Sequence, residues 1–112
     1  MRMVAVFAMM LVGCDAASSE YPAVIEARSA AAEWARVNEL AAERLVPRTY
    51  AQTMREAARL ELETAASSFS DPGSLQAAEV KALLELPPDA APSQLRHHVE
   101  ALRKIEERLA VS

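Results

Sequence analysis

Cysteine appears once in this chain of 112 residues, as Cys14, and glycine twice, as Gly13 and Gly73. A lone cysteine excludes a disulfide framework. Two isolated glycines exclude the glycine-rich loops that cradle phosphate groups. Histidine is confined to the neighbours His97 and His98. Adjacent helical residues point about 100° apart, so these two rings do not readily share a metal ion. His97 and Glu100 could offer two ligands at i and i+3, short of the three or four that a zinc site needs. The pair therefore reads as solvated helix histidines, and no metal or cofactor is expected. Paired catalytic carboxylates, nucleophile elbows and His-Glu-x-x-His are all missing, and the loop serines look like linkers and caps. An enzyme is not expected.

An excess of basic side chains is missing too. The formal net charge is −4, which gives no electrostatic footprint for nucleic acid and does not favour lying flat on anionic lipid. Large side chains are scarce. Hydrophobic residues make up 52% of the chain, but 24 of them are alanine, which buries little area. After Cys14 the aromatics are Tyr21, Trp34, Tyr50 and Phe69. What is present is helical periodicity, and no stretch alternates as a strand does.

Four helices follow from stripes and breaks. Pro22 to Val46 reads as the first, with Pro22 in its opening turn and Ala27, Ala30, Trp34, Val37, Ala41 and Leu45 on one face. Pro47 ends it. Thr49 then reads as the cap of a second helix, in the box Thr49-x-x-Gln52. Tyr50, Met54, Ala58, Leu62, Ala65 and Phe69 form its stripe, and Arg59–Glu63 is an outer i,i+4 pair. The short link makes helices one and two an antiparallel hairpin, with Trp34, Tyr50, Leu62 and Phe69 as its expected core. Asp71 reads as the cap of a third helix with Pro72 in its first turn, and Leu75, Ala78, Ala82 and Leu86 lie along one side. Val80, Leu83 and Leu84 widen that arc. Pro87-Pro88 ends it. The last helix runs from Ser93 to Ala110, with a seam of Leu95, Val99, Leu102, Ile105 or Glu106, and Leu109, and with Glu100–Lys104 as an ion pair. The expected fold is all-α, a small bundle of about four helices after an N-terminal signal helix.

The N-terminus carries the most specific pattern. Val4 to Val12 is a short apolar run, too short to span a ~30 Å hydrocarbon core but suited to the apolar part of a signal peptide. It leads into Leu11-Val12-Gly13-Cys14. These four residues resemble the lipobox of bacterial lipoprotein precursors. The resemblance covers residues 1–14 and implies cleavage between Gly13 and Cys14, with a lipid carried on the Cys14 thiol and no transmembrane helix required. Two acyl chains anchor a protein stably, at ~0.8 kcal/mol per buried methylene. On this reading residues 1–13 are the signal peptide, 14–21 the lipidated cysteine and a tether, and 22–110 the helical domain. The tether residues Asp15 to Glu20 would reach roughly 20 Å if extended. Asp15, directly after the lipidated residue, is similar to the inner-membrane retention signal of enteric bacteria.

The expected location is then a bacterial membrane, with the domain facing the periplasm. Two function classes follow. The first is an interaction or structural accessory subunit of the cell envelope, with an envelope protein or a second copy as partner. The second is a lipid-anchored periplasmic module that binds a small ligand or a metal. Trp34 is the one large anchor of an alanine-rich helix. It reads as filler of the helix-pair core or, more sharply, as a partner contact, since tryptophan is enriched at binding hot spots.

Overall fold

The computed structural model describes residues 16–111, with side chains from Glu20 onward. The signal segment 1–13, with Gly13, and also Cys14 and Asp15 lie outside the described residues. Within them the chain forms four helices and no strand: α1 (Ala16–Ala42), α2 (Arg48–Ala66), α3 (Leu75–Leu84) and α4 (Pro92–Ala110). The first two form the expected antiparallel hairpin. The helices close a ring in which α1 packs on α2 and α4 while α3 bridges α2 and α4. No helix among the described residues is long and apolar enough to cross a membrane.

α1 is longer than the sequence pattern indicates. It begins at Ala16, so residues 16–21 are helix and not an extended tether. Alanine and glutamate are good helix formers. Pro22 lies inside the helix, where the one hydrogen bond it cannot donate would fall in the first turns. What fixes this early turn is Glu20, which is buried. Its Oε2 accepts from Ser70 Oγ at 2.9 Å and its Oε1 from Gln76 Nε2 at 2.7 Å. The segment is thus docked on the α2–α3 connection.

Alanine lines α1 where it meets both neighbours. Ala23, Ala27, Ala30, Ala31 and Ala35 are buried beside Val24, Trp34 and Val37. Two buried faces merge here because α1 has two partners, and small side chains let both come close. Apart from Val24 and Trp34, the largest buried side chains come from the other helices: Leu62 of α2, Val80 and Leu83 of α3, Leu95 and Leu102 of α4.

Several expected core positions lie outside. Tyr50 is 46% exposed, and Ala51 is buried in its place, because Ala51, seven residues before the buried Ala58, shares its face more closely than Tyr50 does. Pro47 is the N-cap and no side chain caps the helix, so Thr49 does not cap; its carbonyl accepts from Thr53 Oγ1. In α3 the N-cap is Ser74, whose Oγ accepts from the Ala77 N–H, not Asp71, whose Oδ1 closes a turn onto the Gly73 N–H. α3 buries Val80 and Leu83 and leaves Leu75 58% exposed. A short helix that is apolar nearly all round carries no periodicity to choose its face. In α4, Leu95, Leu102 and Ile105 are buried, while Val99 and Leu109 pack at the margin. The Arg59–Glu63 pair forms at 3.7 Å. Glu100 pairs with Arg103 instead of forming the expected pair with Lys104.

α1 ends at Ala42, and Leu45 is 65% exposed. The end is a Schellman motif: the Arg44 N–H bonds to Ala41 O at 3.1 Å and the Leu45 N–H to Leu40 O at 2.9 Å. The motif needs a left-handed residue, and Arg44 supplies it with φ of 58°. A side chain there is costly, and glycine is the residue that fits freely. Arg44→Gly is expected to stabilise the fold by about 0.5–1 kcal/mol, read as a higher midpoint in chemical denaturation. An unchanged or lower midpoint would show that the arginine side chain offsets the strain.

Candidate functional site

Trp34 and Asn38 stand one turn apart on α1, both 4% exposed. They meet the connector between α3 and α4, where Pro88 and Asp89 form a turn closed by the Ala90 N–H on Pro87 O at 3.0 Å. Trp34 Nε1 donates to Pro88 O at 2.8 Å, and Asn38 Nδ2 donates to the same oxygen at 3.0 Å and to Ala90 O at 2.8 Å. Both amide hydrogens of Asn38 therefore point at carbonyls. Its Oδ1 is left to accept, and Arg55 Nε of α2 donates to it at 2.7 Å. One buried amide thus joins α1, α2 and the α3–α4 connector. A neighbouring tie runs from Arg59 Nη1 to Leu84 O at 3.1 Å, at the C-terminal end of α3.

Beside this junction lies a groove of about 410 Å³ between α1, α2 and the connector. Trp34, Leu86 and Pro88 supply apolar surface, and Gln52, Arg55, Glu56 and Arg59 the polar wall. Hydrogen-bond donors and apolar surface thus converge on one groove.

Trp34 is therefore part of the interior, with one edge on the groove. The remaining residues singled out from the sequence are scattered. His98 is not solvated: its Nδ1 lies 2.8 Å from Glu79 Oε2 on α3 and its side chain is only 17% exposed. His97 is exposed, and the two rings meet edge to face at 6.0 Å. Among the described residues no group of three or more His, Cys, Asp and Glu is placed to hold a metal ion. Across the α1–α4 face, Glu39 accepts from Arg36 at 2.9 Å and from Arg96 at 3.1 Å. The Arg36 hydrogen bond first, and then the Arg96 charge, hold its carboxyl below the usual carboxylate range. Arg28 pairs with Glu106 lower on the same face.

Asn38 and Arg55 were not evident as a pair in the sequence. One signal was present: Asn38 follows Trp34 by four residues, so a polar amide sits on an otherwise apolar stripe. No family model, curated protein or solved structure matches the chain.

The junction has a measurable share of the stability. Trp34→Phe keeps most of the ring and removes the donor, at a cost of about 1 kcal/mol. Asn38→Ala leaves the Ala90 carbonyl and the Arg55 Nε–H without partners and is expected to cost about 2–4 kcal/mol. Because both side chains donate to Pro88 O, the double variant should deviate from the sum of the singles. Strict additivity in urea denaturation would show that the two hydrogen bonds act independently.

Proposed function

We propose that this chain is a lipid-anchored bacterial lipoprotein whose helical domain is an interaction or structural accessory subunit of the cell envelope. The observation that carries the anchor is the tetrad Leu11-Val12-Gly13-Cys14 after a short apolar run. The domain adds a geometric consequence. α1 begins two residues after Cys14, a reach of only about 7 Å, so an anchored bundle would stand close to the bilayer. The end formed by Glu20 and the α2–α3 connection would face the lipid. Trp34 lies 14 residues beyond Glu20 along the helix, about 21 Å away, so the groove would face the periplasm.

The accessory role draws support from the make-up of the core. An alanine-lined α1 gains little apolar area per residue, at ~25 cal/mol per Å², while ordering the backbone costs of order 1–2 kcal/mol per residue. A partner that covers further apolar surface would stabilise such a bundle. A second reading, a lipid-anchored periplasmic module for a small ligand, draws on the groove beside Trp34. Mild crosslinking separates the two. Recovery of one envelope protein supports the accessory subunit, and a ligand retained by the pure protein supports the binding module.

Two outcomes are expected. Cys14→Ser should abolish metabolic labelling with a fatty acid and leave an uncleaved or mislocalised precursor; equal labelling of wild type and variant would end the lipoprotein reading. A soluble version beginning at Ala16 should show a thermal midpoint that rises with protein concentration. A high midpoint that is unchanged on dilution, with a monomeric mass, would remove the physical motive for a stabilising partner.

A further inference from the structure

The α1–α2 turn encloses a second concavity of about 600 Å³, lined by Ala41, Arg44, Val46, Arg48, Ala51 and Arg55. Three of its six lining residues are arginines and none is acidic. That is unexpected in a chain whose formal net charge is −4. Arg28, Arg36, Arg59, Arg96 and Arg103 all have a carboxylate partner. Arg44, Arg48 and Arg55 have none among the described residues.

Arg55 is held in place for this position. It is half-buried, and its Nε is fixed by Asn38 Oδ1 at 2.7 Å. Asn38 cannot turn its amide over, because its Nδ2 already donates to Pro88 O and Ala90 O. The guanidinium plane is thereby set through Nε, and both terminal nitrogens, Nη1 and Nη2, have no hydrogen-bond partner among the described residues. Arg44 is carried into the same concavity by a left-handed backbone at φ of 58°, a conformation that a side chain makes costly. Arg48 opens α2, whose N-terminus has no side-chain cap. Three like charges around one concavity repel one another, and an anion between them relieves that repulsion while accepting charge-assisted hydrogen bonds. Guanidinium groups match the paired oxygens of phosphate and carboxylate.

We propose that this arginine-lined concavity is a binding site for a small oxyanion, a phosphate ester or a compact di- or tricarboxylate, with Arg55 as the fixed anchor and Arg44 and Arg48 as the outer clamps. The volume exceeds that of a single phosphate group, so the concavity has room for a ligand with a body beyond its charged group. The Arg55 side chain also lines the groove beside Trp34, which offers an apolar place for that body. The proposal does not depend on the anchoring of Cys14.

The test is titration of the full chain with inorganic phosphate and with citrate, followed by NMR of the arginine Nε–H signals and by calorimetry. Saturable shifts are expected at Arg44, Arg48 and Arg55 and not at Arg103, which is paired with Glu100 on α4. Affinity should fall as sodium chloride is raised. Arg48→Gln, at an exposed position, should weaken citrate binding about tenfold, the share of one charge-assisted hydrogen bond. Arg44→Gly should weaken it similarly without lowering the melting temperature of the anion-free protein, which separates a lost guanidinium from a lost fold. Arg103→Gln should bind as wild type does. No saturable shift with either probe up to about 50 mM, well above a millimolar dissociation constant, would overturn the proposal. So would undiminished citrate binding by Arg48→Gln, or shifts produced only by a glutamate-rich peptide.

Discussion

The Pro88 carbonyl oxygen accepts from both Trp34 and Asn38, and the register of the bundle depends on that convergence. α1 is lined mostly by alanine, and alanines at close spacing permit a neighbouring helix to slide with little change in contact. Leucine and tryptophan fix register by shape; alanine does not. Here register is fixed by direction instead. An indole N–H and two amide hydrogens must meet two carbonyls on a connector stiffened by consecutive prolines. Once they do, the amide oxygen is available only on the side where Arg55 approaches. A shift of α1 by one residue would turn Asn38 away and leave two carbonyls and a guanidinium N–H without partners. Each unmade bond of this kind costs about 1–3 kcal/mol, comparable with a large side chain lost from the core.

A second fixed point lies at the other end of α1. Glu20 is held by Ser70 and Gln76, about 27 Å from Asn38 along the helix. Along the same helix, the α1–α4 face is crossed by Arg28–Glu106 between these points and by Glu39–Arg96 just beyond Asn38. Partly exposed pairs of this kind contribute little stability each, but their order fixes the antiparallel sense: residue numbers rise along α1 as they fall along α4. Trp34 supplies the one large side chain of α1 at the level where the groove opens, so the same residue closes the interior and forms the groove wall.

What the sequence made legible follows from periodicity. The stripe from Ala27 to Val37 on α1, Ala58, Leu62 and Ala65 on α2, and Leu95 and Leu102 on α4 are buried, because each lies in a long helix whose polar face is distinct. Periodicity failed where a helix is short or its end is displaced. Leu75 reads as inside because α3 is apolar on nearly every side, and Tyr50 because its large ring lies at the edge of the stripe that Ala51 in fact continues. The start of α1 was hidden by Pro22, since a proline reads as a beginning even when the helix is already under way. The polar junction was the least legible part. Asn38, Arg55 and Pro88 are separated by 17 to 50 residues, and no local rule relates them. Likewise Glu79 gave no sign that it would meet His98.

The two ends of the bundle differ in how their backbone and charge are satisfied. At the α2–α3 end, Ser74 caps α3, Asp71 holds the Gly73 N–H, and Ser67 Oγ donates to Thr64 O. At the opposite end α2 and α4 both start without a side-chain cap, and the left-handed residue is an arginine where glycine would fit without strain. Uncapped N-termini place partial positive charge at the ends of helix dipoles, in the region where Arg44, Arg48 and Arg55 gather. The end without side-chain caps is thus the more electropositive. Strain and uncompensated charge of one sign tend to collect where a structure meets something else. The capped end, with its buried carboxylate, is the one where α1 starts at Ala16, and the strained, cationic end is where α1 finishes.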